Sequence, residues 1–114
     1  MSFTFPRTRR IRRRREFEYI YEHGQLYQDA RFRIFYVRKS PTEPGRLGIS
    51  VSKKLGKAHL RNRLKRIIRE TFRLHPELTA GLEMIIQPRP ALLTLTNAQI
   101  SQSLLAALQA IAHP

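Results

Sequence analysis

An amphipathic pattern in the middle of the chain constrains its fold more than any other feature of the sequence. Residues 60–73 place apolar side chains on one face of a helix and cations on the opposite face. The apolar stripe consists of Leu60, Leu64, Ile67, Ile68, Thr71 and Phe72. The polar stripe consists of Asn62, Lys65, Arg66, Arg69 and Arg73, with Arg61 and Arg63 on its flanks. The fold must therefore bury one side of this helix and leave a row of cations exposed.

Few acidic residues are available to neutralise these cations. Glu70 is the only carboxylate between Glu43 and Glu77, and the whole chain has 22 Lys and Arg against 8 Asp and Glu. A charge run on a helix is often only a solvated face, but a formal net charge of +14 indicates a protein that binds a polyanion, above all nucleic acid. No run of about 18 apolar residues predicts a membrane span, and no apolar segment after the basic N-terminus resembles a signal peptide. We expect a cytoplasmic protein with no membrane partner.

The residues suited to protein-based catalysis are sparse. The chain has no cysteine, its histidines are scattered at His23, His59, His75 and His113, and Asp29 is its only aspartate. Metal-dependent hydrolysis requires clustered carboxylates or imidazoles, and no spacing here is typical of such a cluster. We therefore predict no catalytic residue and no metal site in the protein. A self-sufficient basic nuclease and a ribosomal or DNA-binding protein remain alternatives on these grounds.

The N-terminal residues are rich in arginine and poor in apolar side chains. Seven arginines lie between Arg7 and Arg15, which predicts a flexible arm over residues 1–13 and a single RNA-binding domain over residues 14–114. Within the domain, helical spacing predicts a first helix that begins near Arg14 and ends at Gly24 in a left-handed conformation.

The remaining elements follow from alternation and from helix and strand breakers. We predict a weak strand at 25–28, and two antiparallel strands at 31–39 and 46–53 joined by a turn at 40–45. The basic helix runs to about Leu74, before Pro76, and a strand buried on both faces covers 82–87. Thr96 and Gln99 resemble a capping box at the start of the last helix. Its buried stripe is Ile100, Leu104, Ala107, Leu108 and Ile111.

Alternation along two strands predicts that one sheet face packs and the other stays open. In the first of these strands Phe32, Ile34 and Tyr36 share a face, and the opposite face carries Arg31, Arg33, Phe35 and Val37. The next strand alternates apolar residues with Gly48, Ser50 and Ser52, which leave room for a ligand to approach the backbone. The open face is therefore a candidate groove for a ligand.

The run LGISVSKKLGKAHLRNRLKRIIRE at residues 47–70 resembles the signature of the bacterial ribonuclease P protein component, and EFEYIYEHG at residues 16–24 resembles the N-terminal helix of that family. The resemblance implies an α+β fold, an α/β sandwich with the order α-β-β-β-α-β-α. It further implies a four-stranded mixed sheet with a left-handed βαβ crossover, like the two-layer fold of some ribosomal proteins.

The resemblance also implies a subunit of a ribonucleoprotein enzyme that removes the 5′ leader from precursor tRNA. The partners would be the catalytic RNA of ribonuclease P and precursor tRNA, with no small-molecule substrate. Mg²⁺ would be used by the RNA subunit, and no cofactor would be bound tightly by the protein. The residues expected at the catalytic RNA are Arg61, Asn62, Arg63, Lys65, Arg66 and Arg69. By the resemblance, those expected in a leader-binding cleft are Phe17, Tyr21, Phe35, Ser50, Ser52 and Lys53, and strand alternation adds Arg31 and Arg33 from the open sheet face. Additional phosphate contacts are expected from Lys54, Lys57, Arg9, Arg10, Arg12 and Arg13.

Overall fold

A four-stranded mixed sheet lies at the centre of the computed structural model, which describes residues 7–114. In chain order the elements are α1 (Arg14–His23), β1 (Gln25–Gln28), β2 (Phe32–Arg38), β3 (Arg46–Ile49), α2 (Ala58–Leu74), α3 (Pro76–Thr79), β4 (Leu82–Pro88) and α4 (Asn97–Ala112). Short 3₁₀ turns lie at Arg7–Arg9, Lys53–Leu55 and Pro90–Thr94. The predicted α+β class and element order are confirmed, with α3 as a one-turn addition.

The strand order across the sheet is β1-β2-β4-β3. β2 is antiparallel to both β1 and β4, whereas β3 runs parallel to β4. β2 and β3 therefore have opposite directions, as predicted, but they do not pair with each other because β4 lies between them. The predicted two-sided burial of β4 explains its central place, since Met84 and Ile86 pack on one face and Ile85 on the other.

β3 is shorter than the predicted strand at 46–53. It ends at Ile49, and Ser52 begins a 3₁₀ turn in which its hydroxyl accepts a hydrogen bond from the Lys54 amide at 3.2 Å. Serine side chains favour such local bonds over a strand ladder. The turn brings the chain from the sheet edge to the start of α2.

One face of the sheet is covered by α2 and α4. The predicted stripe of α2 is buried from Leu64 to Phe72, with Leu60 half-buried, and the five stripe residues of α4 are all buried. They pack on Phe32, Ile34 and Ile86 in the main core. The capping box of α4 is also confirmed, because Thr96 and Gln99 exchange side-chain to backbone hydrogen bonds at 3.2 and 2.9 Å.

The other face carries α1 and a smaller cluster around Ile20 and Ile85. α1 approaches the sheet closely at Gly48, where a Cβ atom would lie 2.9 Å from the Phe17 ring. Gly24 ends α1 as predicted, but in an extended conformation with φ −78° rather than a left-handed one. Its lack of a side chain is required for a different reason, since a Cβ atom would clash with the carbonyl oxygens of Ile20 and Tyr36.

Residues 8–13, called here the N-terminal segment, lie along the free edge of β3. The Ile11 amide donates to the Leu47 carbonyl at 2.8 Å, and the Ile11 side chain is 4% exposed in the smaller cluster. We expected order to begin near Arg14, but the packed part of the chain begins earlier because Ile11 is an apolar anchor among the arginines. Residues 1–6 of the predicted flexible arm lie outside the described residues.

Candidate nucleic-acid interface

Aromatic rings are grouped where α1 crosses the sheet. The Tyr21 ring contacts Phe35 edge to face with 4.9 Å between centroids, and lies 6.4 Å from Phe17. The Tyr21 hydroxyl accepts a hydrogen bond from Gln87 Nε2 at 3.1 Å. Tyr21 is 38% exposed, whereas Phe17 is half-buried beside Gly48. Tyr21 therefore offers a ring surface to solvent, and Phe17 mainly supports α1 on the sheet.

A basic groove continues from these rings past the ends of β3 and β4. Its volume is about 300 Å³, and its polar lining includes Arg33, Ser50, Ser52, Lys54, Gln87 and Arg89. The Arg33 guanidinium lies 5.3 Å above the Phe35 ring, and its buried Nε has no hydrogen-bond partner among the described residues. Cations beside exposed rings are the combination that holds single-stranded RNA, since bases stack on rings and phosphates pair with cations.

Two of the predicted cleft residues lie elsewhere. Arg31 precedes β2, in a turn that Asp29 closes, and its Nη1 donates to Ser103 Oγ on α4 at 2.6 Å. Strand alternation does not apply to a turn residue, so Arg31 reaches the opposite side of the sheet. Lys53 is exposed in the 3₁₀ turn, and Lys54 lines the groove in its place.

The sequence did not identify Gln87 and Arg89 as groove residues. Gln87 is opposite Arg33 in the β2–β4 register, and the Arg89 guanidinium donates to the Asp29 carbonyl at 3.1 Å. Both positions depend on β4 lying next to β2, which no local pattern predicts. Asp29 also holds the turn before β2: burial would raise its pKa, but bonds from the Tyr27 hydroxyl and the Arg31 and Phe32 amides outweigh burial and lower it.

The exposed side of α2 forms a second basic surface together with the N-terminal segment. Lys65 and Arg69 face Arg10 and Arg12 across a groove of about 260 Å³, whose apolar floor includes Ile49. Burial and the nearby charge of Arg10 lower the pKa of Arg69. No carboxylate lines this groove among the described residues. These cations repel one another, and an anion that binds between them relieves the repulsion.

The other predicted residues of α2 differ in their surroundings. Arg63 turns to α4, where its Nε donates to Asn97 Oδ1 at 2.7 Å and its Nη2 to the Leu95 carbonyl at 3.1 Å. Arg61 bends back to the Gly56 carbonyl at 3.2 Å. Asn62 and Arg66 are exposed. The structure therefore joins Lys65 and Arg69 in one groove, leaves Asn62 and Arg66 open to solvent, and gives Arg63 a contact that supports the fold.

The residues predicted to make additional phosphate contacts also lie in different places. Arg10, Arg12 and Arg13 line a further groove of about 290 Å³ beside Arg46. The Arg9 side chain binds the connection between β2 and β3, where its Nε donates a hydrogen bond to the Gly45 carbonyl at 2.9 Å. Lys57 is exposed immediately before α2. The cations thus surround the β3 edge and the start of α2.

Among residues 7–114, no group of three or more His, Cys, Asp and Glu side chains is arranged to hold a metal ion. In the same part of the chain, no helix combines the length and the apolar character needed to cross a membrane.

The fold and these surfaces define a class: a small α+β protein with a basic groove beside the exposed Tyr21 ring and with an arginine-rich helix, a combination suited to binding a polyanion. The sequence matches the family described as Ribonuclease P over residues 5–112. The chain belongs to the ribonuclease P protein family.

Relatives and solved structures agree with this assignment. The ribonuclease P protein component of Dictyoglomus thermophilum is 43% identical over 89 residues, covering 77% of this chain and 73% of the relative. That of Desulfovibrio desulfuricans is 38% identical over 97% of this chain and 88% of the relative. The structure of a Staphylococcus aureus RNase P protein mutant with defective mRNA degradation activity has a TM-score of 0.85 at 36% identity, covering 91% of this chain and 88% of that one. The Thermotoga maritima RNase P protein has a TM-score of 0.80 at 32% identity, covering 89% and 96%.

Proposed function

We propose that this protein is the RNA-binding subunit of ribonuclease P, and that it assists a catalytic RNA in removing the 5′ leader from precursor tRNA. The observation that carries the proposal is the groove lined by Arg33, Lys54 and Gln87, which lies beside the exposed Tyr21 ring that Gln87 contacts. The family assignment supports the class of enzyme, and the groove supports the leader as the part of the substrate that the protein binds.

The groove suits a single strand of RNA without a fixed sequence. Stacking on an aromatic ring tolerates any base and contributes about 1–3 kcal/mol per base. Arg33, Lys54 and Arg89 supply charges for the backbone, and the serine hydroxyls of the groove can donate to phosphate or ribose oxygens. Because only the precursor has a leader, this contact favours precursor over mature tRNA.

The surface of α2 and the N-terminal segment is assigned to the catalytic RNA. Lys65 and Arg69 lie across a groove from Arg10 and Arg12, and Asn62 and Arg66 extend the same helix surface into solvent. Cations that converge from two elements reduce the repulsion between RNA backbones, so the protein brings catalytic RNA and substrate together.

Bond cleavage is assigned to the RNA subunit. Three carboxylates are paired with arginines, Glu16 and Glu83 with Arg46 and Glu70 with Arg73, which leaves fewer acids for the metal ions that a protein nuclease would use. Mg²⁺ would then be bound by the RNA, with the protein acting indirectly by placing substrate phosphates. We place the complex in the cytoplasm, where tRNA precursors are made.

Reconstitution tests the proposal. The purified protein is added to a bacterial ribonuclease P RNA with precursor tRNA at low Mg²⁺, and 5′ cleavage is measured with protein alone, RNA alone and both together. We expect cleavage only when the RNA is present, and faster cleavage when the protein is added. Cleavage by the protein alone, or no effect of the protein on the RNA, would contradict the proposal.

A further inference from the structure

Arg46, at the start of β3, contacts three parts of the chain: α1, β4 and the backbone of the N-terminal segment. Its Nη1 binds Glu16 Oε2 on α1 at 2.6 Å and Glu83 Oε2 on β4 at 3.2 Å. Its Nε donates to the Thr8 carbonyl and its Nη2 to the Arg10 carbonyl, each at 3.2 Å. A single guanidinium thus joins α1, β4 and two backbone positions of the segment.

The two ion pairs fix the direction of the guanidinium. Its planar fork has five N–H donors in fixed positions, so holding Nη1 between two carboxylates directs Nε and Nη2 elsewhere. Here they meet the backbone of the segment. The chain has only 8 acidic residues against 22 basic ones, and two of the eight are used at this arginine.

The segment needs such an anchor because its own charges oppose its position. Arg10 and Arg12 face Lys65 and Arg69 across a groove, no carboxylate in the described part of the chain lies between them, and like charges repel. Arg46 holds the segment through carbonyl oxygens, which leaves the Arg10 and Arg12 side chains available to bind an anion. The buried Ile11 side chain is the second anchor.

We propose that Arg46 is a positioning residue for RNA binding, which holds the backbone at Thr8 and Arg10 so that Arg10 and Arg12 join Lys65 and Arg69 in one surface before RNA arrives. This inference rests on the proposed function, since the surface is the one assigned to the catalytic RNA. Because the segment is already ordered, RNA binding does not have to supply the free energy of ordering it.

Arginine is required at this position for its geometry rather than its charge alone. A lysine ammonium is a compact point charge and cannot span two carboxylates and two separate carbonyl groups. Arg46→Lys keeps the net charge and one cation beside Glu16 and Glu83, so it separates positioning from long-range electrostatics.

The test compares three variants in binding to a bacterial ribonuclease P RNA over a range of salt concentrations: Arg46→Lys, the double variant Arg10→Gln/Arg12→Gln, and the triple combination. Loss of two phosphate contacts should make the slope of log affinity against log salt shallower by about 1.5 and weaken binding roughly 30-fold at 0.1 M salt. We expect Arg46→Lys to lower the affinity at least about fivefold and to have a shallower salt slope than wild type. The triple variant should bind as the double variant does, because Arg46 acts through Arg10 and Arg12.

Amide hydrogen exchange provides the structural readout. Arg46→Lys should speed exchange of the Ile11 amide, which donates to Leu47, while Ile86 and Leu104 in the main core keep their protection. If the lysine variant does not fold, the double variant Arg46→Gln/Glu83→Gln replaces it in the same series, since it also keeps the net charge.

The outcomes separate the inference from the proposed function. Wild-type affinity and slope in Arg46→Lys, or a loss that adds fully to that of the double variant, would overturn the positioning role. No effect of the double variant would overturn it as well. Absence of salt-dependent RNA binding by the wild-type protein would instead contradict the proposed function.

Discussion

On the face of the sheet that α2 and α4 cover, Phe32, Ile34 and Ile86 are fully buried, whereas on the face that α1 covers, Phe35 and Val37 are only half-buried. The first face is closed by two long helices. The second is crossed by one short helix and the N-terminal segment, and it leaves Tyr21 and Arg33 beside an open groove. In the proposed function, stability and leader binding therefore belong to opposite faces of one sheet.

The largest expected effect is on the closed face. Ile86→Ala removes a fully buried side chain from β4 and should lower the free energy of unfolding by about 2–5 kcal/mol, because the cavity cannot close within a packed core. Urea unfolding followed by circular dichroism measures the loss. Under conditions where the variant is folded, its affinity for leader RNA should match wild type, and a large loss of affinity there would break the separation of the two faces.

On the open face, the expected effect is on binding. Tyr21→Ala should weaken binding of precursor tRNA to the holoenzyme by about 1–3 kcal/mol, because one stacking surface for a base is lost. Tyr19→Ala is the matched control, since Tyr19 lies on the same helix, is 49% exposed, and packs on His23 instead of the sheet. Fluorescence titration with precursor and with mature tRNA measures both variants. Equal losses of affinity for the Tyr19 and Tyr21 variants, or equal losses for precursor and mature tRNA, would contradict binding of the leader in the groove.

Two arginines on α2 sharpen the comparison within one helix. Arg63→Gln should lower the free energy of unfolding by about 1 kcal/mol, because Arg63 donates hydrogen bonds to Asn97 and Leu95 at the start of α4. Arg66→Gln should leave stability unchanged and reduce the salt dependence of RNA binding, since Arg66 is exposed. Urea unfolding and a salt series on both proteins check this, and a destabilised Arg66 variant with normal RNA binding would reverse the assignment.

The smallest expected effect concerns Glu16, which anchors the open face. The hydrogen bond from Arg46 lowers the pKa of Glu16 below its usual 4.5, with burial opposing it. The stabilisation is therefore fully present above about pH 4.5 and is lost as pH falls through the lowered pKa in the folded state. Its size is at most about 1 kcal/mol for a partly exposed pair. Unfolding measured from pH 7 to pH 3 should show an acid loss that is smaller in Glu16→Gln, and identical pH profiles would contradict the pairing.

The closed face could be predicted from the sequence because its information is local. The helical stripe from Leu64 to Phe72 and the capping box at Thr96 each fix an element through neighbours a few residues apart, and both are confirmed. The open face depends on strand order. Gln87 enters the groove only because β4 lies between β2 and β3, and the anchor Ile11 is a single apolar residue in an arginine-rich run.

Arg31 illustrates the same limit at a single residue. Alternation assigned it to the groove, but the turn held by Asp29 makes β2 begin at Phe32, one residue later than predicted, and Arg31 binds Ser103 on the closed side. The resemblance to the ribonuclease P family gave the overall arrangement that alternation could not. It did not give which cations support the fold and which remain available to RNA.

The salt dependence of RNA binding tests the central claim most directly, namely that a folded, cation-lined surface binds the phosphates of RNA. If about six phosphates are contacted, the logarithm of the affinity of this protein for precursor tRNA should fall with the logarithm of salt concentration at a slope of roughly −4 to −5. An affinity that is nearly independent of salt would contradict the account.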